Sequence, residues 1–254
     1  MLIDSHAHIL YEDKLDSGKI ISSMSDDGLE AIVNVGTDLE SSKKAVEFAE
    51  KNDGIYAIVG VHPDSVQGVT RETIIELERL AQSDKVVAIG EIGLDYHYEP
   101  CDKMQQRRIF EEMLELAARL DLPVCIHSRD AIDGMFEILS KHAGALKRKG
   151  VLHCYGDGEK YAEKYMELGF FISFAGNVTF KKYDRSFLQA LNPNQILVET
   201  DCPFLSPEPI RGSVNEPKNV RITAEFLARE FNMSMSEFEK MTTENTKRIY
   251  YKIK

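Results

Sequence analysis

The residues best suited to chemistry are two histidines near the start of the chain, in the sequence D-S-H-A-H at positions 4–8. Leu2 and Ile3 before them predict the start of a β-strand, in which residues two apart point to the same side. His6 and His8 would therefore present two imidazoles side by side. Neutral imidazole is a good ligand for zinc, manganese, iron or nickel. Neighbouring histidines also arise by chance, so a metal-site hypothesis needs more ligands elsewhere in the chain.

The elements that must position these histidines are short β-rich runs, which alternate with amphipathic helical stretches eight times along the 254 residues. Several runs are continuously apolar, as in strands buried on both faces of a parallel sheet. The predicted strands are Leu2–Ser5, Ala31–Val35, Ile55–Val61, Val86–Glu91, Pro123–His127, Val151–His153, Phe170–Phe174 and Ile196–Thr200. Eight such units predict an α/β fold, a single (β/α)8 TIM barrel domain over residues 1–254. A doubly wound open sheet is the alternative, but it normally carries a glycine-rich phosphate turn after its first strand.

The clearest predicted helix extends from Asp102 to Leu120, where apolar residues recur at helical spacing. Asp102 and Gln105 resemble a capping box at its start. The longest irregular stretch, Cys202–Lys218, contains four prolines and one glycine and follows the eighth predicted strand. Long loops in compact domains are usually functional or disordered, and both alternatives stay open for this stretch.

Four further metal-type side chains stand at the ends of other predicted strands. Active sites of barrels form where the carboxyl ends of the strands meet, so these side chains would converge with His6 and His8. Singly, each has an ordinary explanation, such as a buried hydrogen-bonded histidine or a helix-capping carboxylate. Their coincidence at strand ends predicts a metal site. The four residues are Glu91, His127, His153 and Asp201.

Six ligands are too many for one tetrahedral zinc and suit two divalent cations that share a carboxylate. Two carboxylates against two such ions leave a charge of about +2, which would attract a phosphodiester. We expect a water between the cations to act as nucleophile, oriented by Asp201, so that Asp201 and Glu91 are the predicted catalytic residues. The predicted ligands are His6, His8 and Asp201 for one cation, His127 and His153 for the other, and Glu91 for both.

Five other residues are weaker candidates. His62 follows the third predicted strand and is expected to contact substrate or leaving group, unless it is an ordinary loop histidine. Arg129 and Arg211 could hold phosphate oxygens bidentately, the alternative being surface arginines. Glu199 lies two residues before Asp201 and is expected on the same face of the strand. It could support that ligand or form a buried salt bridge. Asp95 is expected to line the substrate cleft.

Composition limits the remaining possibilities. Lys and Arg number 31 against 42 Asp and Glu, a net charge of −11 that argues against a broad basic surface for nucleic acid. No apolar run has membrane length, and the early first strand leaves no room for a signal peptide. The four cysteines form no C-x-x-C pair, which favours reduced thiols. We therefore expect a cytoplasmic protein without membrane association and without an obligate protein partner.

Seven short motifs occur in order along nearly the whole chain. They are D-S-H-A-H (4–8), G-V-H-P (60–63), G-E-I-G-L-D-Y (90–96), I-H-S-R (126–129), L-H-C-Y (152–155), E-T-D-C-P-F-L (199–205) and R-G-S-V-N-E-P (211–217). With these motifs the chain closely resembles the TatD family of metal-dependent deoxyribonucleases, within the metallo-dependent hydrolase barrels. The resemblance implies a (β/α)8 barrel with two divalent metals, usually Mg or Mn, although the imidazoles also allow Zn, Fe or Ni.

The resemblance places the family's ligands on the six residues already identified. It implies 3′–5′ exodeoxyribonuclease activity, with single-stranded DNA or DNA 3′ ends as substrate. One departure stands after the sixth strand, where the family often reads H-C-F-S-G and this chain reads H-C-Y-G-D (153–157). Asp157 therefore adds negative charge near the expected path of the phosphates.

Other functions on the same barrel remain open. An amidohydrolase often bridges its metals with a modified lysine on the fourth strand, but here that strand ends in Glu91 and its lysine, Lys85, precedes it. Lactonase or phosphotriesterase chemistry can use a bridging glutamate, and ester cleavage on aminoacyl-tRNA is a related option. A binding module on an inactive barrel is a further alternative, although such a module would not need all six ligands.

Overall fold

Eight parallel strands form one sheet in which the spatial order follows the sequence. The computed structural model describes residues 1–11 and 13–254. This arrangement confirms the predicted (β/α)8 TIM barrel, and it rules out the doubly wound open sheet. The strands are β1 (Leu2–Ala7), β2 (Leu29–Val35), β3 (Ile55–Val59), β4 (Val86–Asp95), β5 (Val124–Arg129), β6 (Gly150–Leu152), β7 (Phe171–Phe174) and β8 (Ile196–Val198).

Helices lie between and after the strands. Helix α4 begins as predicted after Asp102, whose side chain accepts a hydrogen bond from the Gln105 N–H at 2.9 Å. The reciprocal half of the predicted capping box is wrong, because the Gln105 side chain instead donates to the Val66 carbonyl. The helices are α1 (Ser17–Ser23), α2 (Leu39–Lys51), α3 (Arg71–Leu80), α4 (Lys103–Leu120), α5 (Ile132–His142), α6 (Glu159–Glu167), α7 (Val220–Glu230) and α8 (Met235–Ile249).

Across residues 1–11 and 13–254, none of the helices combines the length and the apolar character needed to cross a lipid bilayer.

The seam between β8 and β1 joins the first and last strands of the barrel. The Asp201 N–H donates to the His6 carbonyl at 3.0 Å, and the His8 N–H donates to the Cys202 carbonyl at 2.8 Å. Closer to the amino end of β1, the buried Asp4 carboxyl accepts hydrogen bonds from the backbone N–H and the hydroxyl of Thr200. Burial raises the pKa of Asp4 to about 8. The seam places His6, within β1, and His8, directly after it, beside Asp201, which follows β8.

The two ends of the barrel are filled differently. Inside the barrel, apolar side chains such as Ile3 and Val33 pack against Ile249, Tyr250 and Ile253, which follow or end α8 and close the amino end of the strands. A second, larger cluster lies mainly between the sheet and the surrounding helices. Polar side chains therefore gather at the carboxyl end, where the strands lead into the loops.

Strands β4 and β5 are longer than the sequence analysis predicted. Glu91 and His127 lie inside them rather than at their ends, since β4 extends to Asp95 and β5 to Arg129. Gly93 has φ +148°, and a Cβ there would lie 1.9 Å from the His127 carbonyl oxygen. Only glycine permits this close approach, which brings the functional ends of β4 and β5 together.

Candidate metal centre

The structure brings the six predicted ligands together around Glu91, which is 3% exposed. One of its oxygens, Oε2, lies 3.4 Å from His6 Nε2 and 3.7 Å from His8 Nε2. The other oxygen, Oε1, lies 3.0 Å from His127 Nδ1 and 2.9 Å from His153 Nε2. Glu91 therefore faces two different sets of imidazoles. We refer to the six residues as the cage: His6, His8, Glu91, His127, His153 and Asp201.

The first group of the cage consists of His6, His8, Asp201 and Glu91 Oε2. The two Nε2 atoms are 3.2 Å apart, and Asp201 Oδ1 lies 3.6 Å from His6 Nε2 and 3.5 Å from His8 Nε2. Four ligands at about 2.1 Å from a tetrahedral ion are about 3.4 Å from one another. Five of the six donor–donor distances in this group are close to that spacing, and the donor atoms of His6, His8 and Glu91 lie close enough together to hold a divalent cation.

The second group consists of His127 Nδ1, His153 Nε2 and Glu91 Oε1. The two nitrogens are 3.5 Å apart, and each lies about 3 Å from the Glu91 oxygen. His62 Nε2 lies 3.6 Å from the same oxygen, so three imidazoles surround it. Histidine and carboxylate donors at these distances suit a divalent cation, and the donor atoms of His62, Glu91 and His127 in particular lie close enough together to hold one.

Hydrogen bonds on the far side of each ring decide which nitrogen faces the cage. An acceptor at one nitrogen draws the N–H toward itself and leaves the lone pair of the other nitrogen pointing inward, as a metal ligand requires. Three rings have an oxygen acceptor on the outside: His8 Nδ1 with the Val35 carbonyl at 3.2 Å, His127 Nε2 with Asp95 Oδ2 at 2.9 Å, and His153 Nδ1 with Glu199 Oε1 at 3.2 Å.

His62 is oriented in the opposite sense. Its Nδ1 accepts the Asp64 backbone N–H at 3.1 Å, so Nδ1 has no proton. In a neutral ring the proton must then be on Nε2, the atom that faces the second group. Burial lowers the pKa of His62 and favours this neutral form. The ring therefore presents an N–H donor to the site, which suits contact with a substrate oxygen better than metal coordination.

Charges within the cage stabilise one another. Burial opposes ionisation of Glu91, yet the charge of the neighbouring His153 and hydrogen bonds with His127 and His153 hold the pKa of its carboxyl well below the usual range. Burial likewise opposes the charged form of His153, but Glu91 and Glu199 raise its pKa well above the usual value. Burial also opposes ionisation of Asp201, but the hydrogen bond with His8 and the nearby charges of His6 and His153 together lower the pKa of its carboxyl. Ionised carboxylates are thus available as ligands at neutral pH.

The predicted surplus charge of +2 needs correction. Asp95 and Glu199 are buried directly behind His127 and His153, so four carboxylates rather than two would balance two divalent cations. The expectation that Asp95 lines the substrate cleft is wrong for the same reason, because its carboxylate is 3% exposed and faces His127. Glu91, Gly93 and Asp95 alternate along β4, a signal that would have been visible if the strand had been predicted to its full length.

The two candidate arginines lie outside the cage. The Arg129 guanidinium lies 5.0 Å from the centre of the exposed Tyr98 ring, and that of Arg211 lies 4.2 Å from the centre of the Phe180 ring. Among the described residues, neither arginine forms a hydrogen bond or ion pair with the cage, so their phosphate-binding role stays a prediction. Asp157 accepts a hydrogen bond from Ser128 at 2.8 Å, next to the end of β5.

Sequence reasoning missed two aromatic side chains at the mouth of the cage. The ring centres of Tyr11 and Phe204 lie 6.0 and 6.4 Å from that of His8. A weak signal was present, since Tyr11 and Phe204 each follow a cage residue, His8 and Asp201, by three positions.

A parallel barrel with imidazoles and carboxylates gathered at the carboxyl ends of its strands is the architecture of a metal-dependent hydrolase. The sequence profile described as TatD related DNase matches residues 3–251. The uncharacterized metal-dependent hydrolase YabD of Bacillus subtilis (strain 168) is 39% identical over 253 residues, which cover 98% of this chain and 99% of the relative. The deoxyribonuclease Tat-D of Schizosaccharomyces pombe is 31% identical over 95% of this chain and 88% of its own length.

The crystal structure of YjjV, a TatD homolog from Escherichia coli K12, matches with a TM-score of 0.91 and 27% identity, covering 98% of this chain and 97% of that one. The chain therefore belongs to the TatD family of metal-dependent hydrolases.

Proposed function

We propose that this protein is a 3′–5′ exodeoxyribonuclease of the TatD type, which hydrolyses phosphodiester bonds at a two-metal centre. The observation that carries the proposal is the position of Glu91, whose two oxygens face two separate groups of imidazoles. Paired cations a few ångströms apart suit in-line displacement at phosphorus. A relative named as a deoxyribonuclease supports DNA as the substrate.

The proposed ligands are divided as the two groups of the cage. Divalent cations held there would supply Lewis-acid charge to the phosphate and would lower the pKa of water. Four imidazoles among six donors make a softer set than Mg²⁺ usually prefers, and they suit Mn²⁺ or Zn²⁺. The first cation would be bound by His6, His8, Asp201 and Glu91 Oε2, and the second by His127, His153 and Glu91 Oε1.

Two side chains are placed to act on protons and substrate oxygens. The low pKa of Asp201 keeps its carboxylate ionised at neutral pH, so it can orient a water and accept the water's proton. His62 offers its Nε2–H from the opposite side and can donate a hydrogen bond to a phosphate or leaving-group oxygen. Its side chain is 14% exposed, which leaves it within reach of a bound strand.

The proposal is tested with purified protein and Mg²⁺, Mn²⁺ or Zn²⁺ added singly to metal-free samples. A 5′-labelled single-stranded oligonucleotide should be shortened stepwise from its 3′ end, whereas a circular single strand should remain intact. An oligonucleotide with phosphorothioate linkages at its 3′ end should resist digestion. Cutting of the circle would contradict the exonuclease assignment.

A panel of other substrates runs beside the oligonucleotides: lactones, a phosphotriester and an aminoacyl-tRNA. Turnover of one of these with no shortening of DNA would mean that the nuclease proposal is wrong, even if the two-metal centre is present. The Glu91→Gln variant, which keeps the shape of the side chain and removes its charge, should lose activity on every substrate that the centre hydrolyses. Glu115→Gln, on the exposed face of α4, is the matched control.

A further inference from the structure

Two large aromatic side chains remain accessible beside the first group of the cage. Tyr11 follows β1 and Phe204 follows β8, and the two side chains are 39% and 40% exposed. Their ring centres are 5.6 Å apart with planes at 81°, and both rings lie edge-to-face with His8. The pair is therefore continuous with the cage rather than a separate patch of surface.

A cation lies over this aromatic pair. Lys14 Nζ is 5.0 Å from the centre of the Phe204 ring and 6.0 Å from that of Tyr11. Exposed rings combined with a cation are the elements with which proteins bind single-stranded nucleic acid, because bases stack on the rings and phosphates pair with the cation.

The charge balance of the cage bears on how the aromatic pair, Tyr11 and Phe204, would contribute to binding of a nucleotide. Because Asp95 and Glu199 offset much of the charge that two cations would supply, the centre would attract phosphate less strongly than two unbalanced cations would. Contacts to the rest of the nucleotide must then contribute to binding. Stacking is suitable for an exonuclease, since every base has an aromatic face and sequence is not discriminated.

We propose that Tyr11 and Phe204 form a stacking surface for a base at the 3′ end of a DNA strand, and that Lys14 pairs with a neighbouring phosphate. This inference rests on the proposed nuclease function and adds the way in which the substrate is held. The ammonium group would leave the Phe204 ring for the stronger phosphate partner, which frees the ring for the base.

The test combines a protein variant with a modified substrate. Phe204→Ala is compared with the wild type on an oligonucleotide and on copies that lack the base at the 3′-terminal or the penultimate nucleotide. The variant should raise the KM for the intact strand about 5- to 100-fold, with kcat changed much less. On the copy that lacks the stacked base, the wild type should lose the same factor and the variant should lose nothing further.

Conservative variants and a distant aromatic residue complete the test. Phe204→Tyr and Tyr11→Phe keep a ring at each position and should retain the wild-type KM, which separates stacking from a general structural defect. Tyr251→Ala removes a ring that is also 40% exposed but packs against Arg148, before β6, and should leave the KM unchanged. Thermal unfolding of each variant shows whether the fold is kept.

Lys14→Gln provides an independent readout. If Lys14 contacts one phosphate, the slope of log affinity against log salt should decrease by about 0.7. Equal loss for Phe204→Ala on strands with and without the bases, or an unchanged salt slope for Lys14→Gln, would overturn the corresponding part of this inference. If the wild type hydrolyses no DNA at all, the nuclease proposal itself fails; if it hydrolyses DNA without any coupling to Phe204, only the stacking surface fails.

Discussion

The two groups of the cage contain the same kinds of side chains, imidazoles and a carboxylate, but differ in what lies behind them. Behind the first group stand a backbone carbonyl, that of Val35, and the thiol of Cys125. Behind the second group stand two carboxylates, Asp95 and Glu199. A carboxylate raises the basicity of the imidazole that it holds, whereas a carbonyl or a thiol does so less.

The two groups also differ in what fixes the position of their side chains. His6 in the first group is fully buried and tied to the seam between β1 and β8, whereas His127 in the second group is 17% exposed. The first group thus depends on closure of the barrel for its geometry, and the second depends on the charge placed behind it. Glu91 has one oxygen in each group, so its substitution should affect both groups most strongly. Substitution of a residue behind one group should have a smaller effect, confined mainly to that group.

The largest effect is expected for Glu91→Ala, because it removes a donor from both groups. Activity on DNA should fall by at least about a thousandfold, the equivalent of about 4 kcal/mol of transition-state stabilisation. Metal analysis should show loss of bound Mn²⁺ from both positions, while circular dichroism shows a preserved fold. Near-normal turnover, or two ions still tightly bound, would show that Glu91 does not join the groups.

A smaller and one-sided effect is expected when the supporting carboxylates are neutralised. Asp95→Asn should weaken binding of the second cation about 10- to 100-fold. Asp95 accepts from both the His97 N–H and His127, and an amide can accept only on its single oxygen. Calorimetric titration with Mn²⁺ measures the two sites separately.

Glu199→Gln and Cys125→Ala are the matched comparisons for that titration. One oxygen of Glu199 accepts both from His153 and from the Cys154 N–H, so glutamine keeps these bonds and loses only the charge. Its effect should be smaller than that of Asp95→Asn and confined to the second cation. Cys125→Ala should change the affinity for the first cation by a few-fold at most. Equal effects on both cations would refute the contrast between the groups.

His62→Ala tests whether His62 is a third histidine ligand of the second group, beside His127 and His153. Since the proton of His62 is on the nitrogen that faces the site, we expect kcat to fall about 10- to 100-fold with both cations still bound. His62→Gln, which can still donate a hydrogen bond from its amide, should recover part of the rate. Release of the second cation by His62→Ala would instead make His62 a ligand.

The smallest effect is expected for Asp157→Asn and concerns pH. Burial raises the pKa of Asp157 above its usual value, and the Ser128 hydrogen bond offsets part of the rise. A carboxyl with a raised pKa in the folded state contributes stability that is present at low pH and is lost as pH rises through the folded-state pKa. The free energy of unfolding of the variant, relative to the wild type, should therefore rise as the pH increases from the usual pKa range of an aspartate toward neutral pH.

Urea unfolding at several pH values measures this difference, and a pH-independent difference would contradict it. The same substitution should lower the KM for DNA by a few-fold at low salt, because a negative charge near the second group is removed.

The barrel and the convergence of the cage residues could be predicted from the sequence because both depend on local patterns. Apolar runs at regular intervals define the strands, and a histidine or an acid near the carboxyl end of a strand must face the same mouth. The functions of these six residues stay predictions. The partners behind them were not predictable in the same way, since Asp95 faces His127 only because Gly93 lets β4 and β5 approach closely.

The mouth of the cage shows a similar limit. Tyr11 and Phe204 lie 193 positions apart in the sequence, in irregular segments where no periodic pattern fixes the direction of a side chain. Their contact depends on the closure of the barrel, which brings the loops after β1 and β8 side by side. The charge balance of the centre likewise depends on the positions of Asp95 and Glu199 behind the histidines, which the sequence alone does not specify.

The seam held by Asp4 and Thr200, residues 196 positions apart, has a consequence for metal binding during synthesis of the protein. His6 and His8 emerge from the ribosome early in synthesis. The carboxylate beside them, that of Asp201, emerges only when most of the polypeptide has been made. A histidine pair alone is a weak chelator, so a nascent chain competes poorly for cellular metal ions. If the cage binds metal as proposed, tight metal binding would coincide with completion of the barrel.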